Sequence, residues 1–106
     1  MSLTRGHVYL AKLGTAEAKY WLVVSNNQRN ARLDNTLVVR ITSTDKYTSL
    51  PSVIAIPAGE SLTGFVRCDS LTQVWPDEII KFFCAFSPAT MALVNDGLKA
   101  SLGIPS

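Results

Sequence analysis

The chain has 106 residues, the size of one ordinary domain, and its ten Lys and Arg against eight Asp and Glu leave a net charge of +2, too mild for a histone-like or tail-type nucleic-acid binder. A hydrophobic fraction of 47% with 17% charged residues is enough to bury a core, which excludes disorder as the main state. No stretch reaches about 18 uncharged apolar residues, and the opening Met1-Ser-Leu-Thr-Arg-Gly-His7 lacks the apolar run of a signal peptide, so no membrane span and a cytoplasmic address are expected.

The expected strands start at His7-Val-Tyr-Leu-Ala-Lys-Leu13, which alternates as a half-buried strand does, with Val8 and Leu10 on one side. Gly14 to Lys19 interrupts it, and Tyr20-Trp-Leu-Val-Val-Ser25 is a β-branched and aromatic run. Asn26-Asn-Gln-Arg-Asn30 reads as a turn, because Asn tolerates left-handed backbone and bonds its own main chain. Thr36–Thr42 is the clearest strand, with Leu37, Val39 and Ile41 on one face and Thr36, Val38, Arg40 and Thr42 on the other, and Ser43 to Lys46 ends it. Val53–Ile56 follows, stopped by Pro57-Ala-Gly59, and then Gly64–Leu71, where a period of two puts Phe65, Arg67, Asp69 and Leu71 on a common side. Ser70 to Lys81 reads as a loop with one helical turn from Pro76, and Lys81–Phe86 as the last strand.

Ser87 as N-cap and Pro88 at the first helical position open a helix whose apolar stripe is Met91, Val94, Leu98 and Leu102, closed by Gly103 and Pro105. The expected architecture is a single domain over residues 1–106: mainly β, a small, strongly bent sheet or barrel closed by a C-terminal α-helix. Phe82, Phe83 and Phe86 beside that helix are either internal or part of a surface for a second copy.

The two cysteines, Cys68 and Cys84, lie in apolar stretches and read as buried thiols rather than a disulfide. With a single histidine, His7, the chain supplies neither a four-ligand zinc set nor a Ser-His-Asp or Cys-His triad apart from that residue, and no phosphate-cradling glycine motif is present. No metal or cofactor is therefore expected. Charge is unevenly placed: residues 1–46 hold seven basic and three acidic side chains, or +4, and residues 47–106 three and five, or −2. A basic half on a near-neutral domain is compatible with a modest anion-binding face and equally with a solvated surface.

Arg67 and Asp69 are i, i+2 in an otherwise apolar strand, either a plain ion pair or a working one. Arg40 and Thr42 share the polar face of the most hydrophobic strand, extended by the hydroxyls of Ser43 and Thr44. Together with Lys19 these groups would surround a phosphodiester with cations, hydroxyl donors and a proton acceptor. RNA cleavage suits such a set, because the ribose 2′-hydroxyl is an internal nucleophile that needs a base, cationic stabilisation of the phosphorane and help for the leaving 5′-oxygen. Asp69 fits the base, and Arg67 fits charge stabilisation, since guanidinium holds its proton tightly.

At these residues the chain resembles the MazF/PemK (Kid) family of toxin–antitoxin ribonucleases over nearly its whole length. Arg5-Gly-His-Val-Tyr-Leu10 is similar to the family's R-G-[DE]-[VI]-[YW] start, with His7 in place of the usual acid. Trp21-Leu-Val-Val-Ser-Asn-Asn27 resembles the second-strand segment, Val39 to Thr44 the V-P-[IVL]-T-[ST] element, Leu62 to Asp69 the L-x-G-V-[VI]-[RL]-C-D element, and Leu98 to Gly103 the closing helix. The family run G-[SH]-E-Q is shortened to Thr15-Ala-Glu-Ala-Lys19, leaving Glu17 as the nearest acid, and Tyr20 stands where the family usually has Pro.

The resemblance implies an SH3-like, CcdB-like β-barrel that forms a homodimer. It also implies cleavage of single-stranded RNA to 2′,3′-cyclic phosphate and 5′-hydroxyl ends without metal, and a MazE-like antitoxin whose tail occupies the RNA groove. Thr42 matches the threonine of the I-T element, Lys19 falls at the position of the second-strand arginine, and Arg67 and Asp69 match the R-C-D element of the Kid branch. These four are the catalytic candidates. Asn26, Arg29, Arg40, Ser43, Thr44 and Ser70 are the candidates for positioning RNA. The alternatives are a CcdB-like poison that binds DNA gyrase without chemistry, through the end of its C-terminal helix, and a degenerate member that binds RNA or antitoxin without cutting.

Overall fold

The computed structural model describes residues 2–44 and 46–105; Asp45, in the expected turn after the third strand, and Ser106 lie outside the described residues. The strands are β1 (His7–Ala11), β2 (Lys19–Val23), β3 (Thr36–Thr42), β4 (Val53–Ala55), β5 (Phe65–Val74) and β6 (Ile79–Ala85). Two α-helices, α1 (Asn27–Arg32) and α2 (Pro88–Leu102), and a 3₁₀ turn at Pro76–Glu78 complete the order. All six strands form one antiparallel sheet in the order β4-β5-β3-β2-β1-β6. The mainly β architecture with a C-terminal helix is as expected, but the barrel does not close: β4 and β6 are free edges of the sheet.

Each face of the sheet has its own apolar cluster, because side chains alternate along every strand. On the α2 side, Val8, Leu22, Val39, Ile41, Val66 and Cys68 pack with Cys84, Phe86, Met91 and Val94. The alternation read in β3 holds, since Val39 and Ile41 join this cluster while Val38 joins Ala11, Val23 and Val74 on the other face. Val8, Leu22, Val39, Val66 and Val94 are fully buried, each contributing about 1.5–3 kcal/mol relative to exposure.

Helix α2 starts as its sequence dictates: the Ser87 hydroxyl accepts from the Thr90 N–H, Pro88 occupies the first turn, and Gly103 ends it in the left-handed region. Its stripe is shorter than the periodicity implies, for Met91 and Val94 are buried and Leu102 is 56% exposed. The missing contact is replaced by Gly97, whose lack of a side chain lets the helix lie against Cys68 and Ile54.

Three local expectations change. The Asn26–Asn30 turn is the start of helix α1, with Asn26 as N-cap accepting from the Arg29 N–H at 2.8 Å. The same side-chain acceptor serves a turn and an N-cap, so local chemistry did not separate the two. Strand β5 continues past Leu71 to Val74 because Thr72, Gln73 and Val74 pair with Val38, Leu37 and Thr36. The β3–β5 register also slips between Val38 and Arg40, so Leu71 no longer shares the side of Arg67 and Asp69, and Val74 does.

Candidate active site

One register line crosses the sheet at the site. Phe82 pairs with Tyr9, Tyr9 with Trp21, Trp21 with Arg40, and Arg40 with Arg67. Directly opposed residues of antiparallel strands project from the same face. This row therefore lies on the face away from α2, with an aromatic end on β6 and β1 and a cationic end on β3 and β5.

Arg67 and Asp69 meet as their spacing predicts. A terminal guanidinium nitrogen of Arg67 donates to Oδ2 of Asp69 at 3.0 Å, with both side chains about one-third exposed (29% and 33%). The pair lies within one strand rather than across two. The ring of Tyr47, from the loop before β4, covers the guanidinium at 5.1 Å. Asp69 and Tyr47 thus hold Arg67 from its end and its flat face.

Arg40 is placed by the slip in register. Its backbone N–H donates to the Ser70 hydroxyl at 2.8 Å, and that hydroxyl donates to the Arg67 carbonyl at 2.6 Å. The Ser70 side chain, read in the sequence as an RNA contact, is engaged in joining the main chains that carry the two arginines. Nε of Arg40, Nε of Arg67 and Nε1 of Trp21 are all buried donors with no acceptor among the described residues. Each such donor costs about 1–3 kcal/mol when left unpaired.

Lys19, Arg40, Thr42 and Ser43 line one shallow pocket of about 340 Å³, together with Tyr20 and Leu62. Lys19 begins β2 and reaches Glu17 at 3.5 Å, an exposed pair worth little to stability. The Thr42 hydroxyl accepts from the Thr44 N–H at 3.3 Å, which orders the start of the next loop. Gly64 stands over Thr42 with a φ of +125°, and a Cβ there would overlap the Thr42 carbonyl oxygen.

Six of the ten residues named from the sequence, Lys19, Arg40, Thr42, Ser43, Arg67 and Asp69, thus fall on one half of one face, with Thr44 just beyond. Asn26 and Arg29 do not join them. β2 leads from Lys19 to Val23 before α1 begins, so these two lie past the opposite end of the sheet. Arg29 is engaged there, donating to the carbonyl and side-chain oxygens of Asn35 at 3.0 and 2.8 Å.

His7 sits on β1 with its ring 5.0 Å from that of Phe82, three strands away from Arg67. A larger cavity of about 480 Å³ lies at the aromatic end of the face, lined by Tyr9, Leu33, Val74, Ile80 and Phe82. Phe82 is half-exposed, Phe83 is exposed and Phe86 is buried, so the three divide between surface and core. Sequence reasoning missed Trp21 and Tyr47. Trp21 was within reach of it, being i, i+2 from Lys19; Tyr47 was not, since nothing local ties a loop tyrosine to a strand arginine.

An antiparallel sheet with one face under a helix and the other carrying guanidinium, hydroxyl and carboxylate groups defines a small β protein with one polar, open face. Residues 4–102 match the family model described as the PemK-like, MazF-like toxin of type II toxin-antitoxin systems. Endoribonuclease MazF1 of Mycobacterium bovis and Endoribonuclease MazF4 of Mycobacterium tuberculosis are each 38% identical over 101 residues, covering 95% of this chain and 93% of the relative. The solved structure of an endoribonuclease in complex with its cognate antitoxin, from a mycobacterial species, superposes with a TM-score of 0.90 at 36% identity over 99% of both chains. A MazE–MazF complex from Deinococcus radiodurans, at 20% identity, shares the fold with a TM-score of 0.81 over 99% of each chain. The chain belongs to the PemK-like, MazF-like toxin family.

Proposed function

We propose that this chain is the toxin of a type II toxin–antitoxin pair, a single-domain, cytoplasmic endoribonuclease that cuts single-stranded RNA at the Arg67–Asp69 pair. The observation that carries the reading is the convergence of Arg67, Asp69, Arg40 and Thr42 on one face from two strands that pair directly. A gyrase-binding poison needs no such set.

Asp69 takes the proton of the ribose 2′-hydroxyl, whose oxygen attacks the adjacent phosphorus. Arg67 and Lys19 stabilise the charge of the phosphorane, and the Thr42 hydroxyl donates to a non-bridging oxygen. The P–O5′ bond breaks, the 5′-oxygen takes up a proton from solvent, and the products are a 2′,3′-cyclic phosphate and a 5′-hydroxyl. The nucleophile belongs to the substrate, so the chemistry calls for no cofactor or metal.

The partners follow the relatives: a MazE-like antitoxin and a second copy of the toxin. The half-exposed Phe82 and Ile80, at 51% and 53%, give the edge strand an apolar surface suited to such a partner.

Incubation of the purified protein with a long single-stranded RNA in EDTA, followed by end-group analysis, tests the reading. Discrete cuts ending in cyclic phosphate and 5′-hydroxyl, lost in Asp69→Asn, are expected. Intact RNA with folded, antitoxin-free protein overturns it.

A further inference from the structure

The geometry points to Trp21 as an RNA-binding residue that acts with Arg40 to hold the phosphodiester chain beside the Arg67–Asp69 pair. The inference rests on reading that pair as the RNA-cleaving centre. Three buried N–H donors, on Trp21, Arg40 and Arg67, have no acceptor among the described residues and stand at consecutive positions of one register line on three adjacent strands. Arg40 and Arg67 face each other as like charges, an arrangement that destabilises a sheet unless an anion lies between or above them. Among the described residues Asp69 is the carboxylate paired with this group, and it is bound to Arg67 alone.

Two strand spacings separate Trp21 from Arg67, about 10 Å, which exceeds one phosphate group. The row therefore fits a chain of repeating anions better than a single carboxylate. Its flanks fit the bases of such a chain. Tyr47 covers Arg67 at one end, while Tyr9 and Phe82 pack edge to face, 5.7 Å apart, beyond Trp21 at the other. Aromatic faces beside a cationic track are how single-stranded nucleic acid is held. The Trp21 indole adds what an aliphatic residue at this position lacks, a donor for a phosphate oxygen, reached once the side chains that cover it move aside.

The test reads the indole directly. In Trp75→Phe protein, which leaves one tryptophan, the Trp21 indole N–H resonance is followed while an RNA oligonucleotide with 2′-deoxy substitution at the cleaved position is added. A second titration uses an acidic peptide of equal charge. A saturable shift with the oligonucleotide, together with about a tenfold rise in KM and little change in kcat for Trp21→Phe on cleavable RNA, is expected.

A resonance that the oligonucleotide leaves unmoved, or a shift produced by the acidic peptide alone, overturns the inference. So does an unchanged KM in a Trp21→Phe protein that unfolds at the wild-type temperature. Failure of the wild type to cut RNA counts against the cleavage reading instead, and the indole shift remains an independent measure of binding.

Discussion

Arg40 and Arg67 stand directly opposite each other on β3 and β5, two guanidinium groups on one face whose buried Nε atoms have no acceptor among the described residues. For folding alone this is a poor arrangement, since like charges facing across strands are destabilising. Asp69 offsets part of this cost at Arg67, and in the proposed function the bound RNA offsets the rest. Arg40→Gln is therefore expected to leave the unfolding temperature unchanged or raised while weakening RNA binding. The slope of log K against log salt should fall in magnitude by about 0.7, the counterion share of one single-strand phosphate contact. Binding measured at several salt concentrations checks this.

Asp69→Asn keeps the shape of the side chain that bonds Arg67 and removes its capacity as a base. Single-turnover cleavage is expected to slow by about 10²-fold or more. A mutant that cuts at the wild-type rate transfers the role of base to another residue, with Glu17, 3.5 Å from Lys19, the next to substitute.

Gly64→Ala tests how Thr42 is held. The φ of +125° and the overlap of a new Cβ with the Thr42 carbonyl each oppose any side chain at this position. A loss of about 1–3 kcal/mol in denaturant unfolding is expected, accompanied by slower cleavage as Thr42 shifts. Thr42→Ala, by contrast, should slow cleavage with little change in stability, because the hydroxyl bonds only the adjoining loop.

The start of α2 predicts a pH dependence. Glu60 accepts from the Thr90 hydroxyl and from the N–H and hydroxyl of Ser87, and these bonds hold its carboxyl below the ordinary glutamate value, the Thr90 bond most strongly. A carboxyl depressed in the folded state contributes stability that is fully present above its unfolded pKa and disappears as pH falls through the folded one. The difference in unfolding temperature between wild type and Glu60→Gln should therefore be constant near neutrality and shrink on acidification below the ordinary glutamate pKa. A difference that persists unchanged at low pH contradicts this role.

The Cys68 thiol is fully buried, and burial, with Asp69 beside it, pushes its pKa up to about 12. Thiolate is the reactive form, so Cys68 should resist thiol reagents in the native protein at pH 8 and react on unfolding. Burial raises the Cys84 thiol as well, and counting reactive thiols before and after denaturation checks both.

Much of this protein was written locally. The alternation of β3 assigned Val39 and Ile41 to one face and Arg40 and Thr42 to the other, and the Ser87-Pro88 and Gly103 signals bracketed α2. Periods and caps are short-range properties, so a single segment suffices to read them. The motifs around Thr42 and Arg67-Cys-Asp69 marked the family on the same terms.

What required the tertiary structure is the register between segments far apart in the chain. That Arg40 meets Arg67, that Trp21 stands beside both, and that Asn26 and Arg29 fall at the far end of the sheet depend on strand pairing and on a slip in β5 that Ser70 bridges. A shift of one residue in that pairing would turn the cationic row to the other face. Pairing is selected by the packing of the whole sheet against α2, a property that belongs to no single segment of the chain.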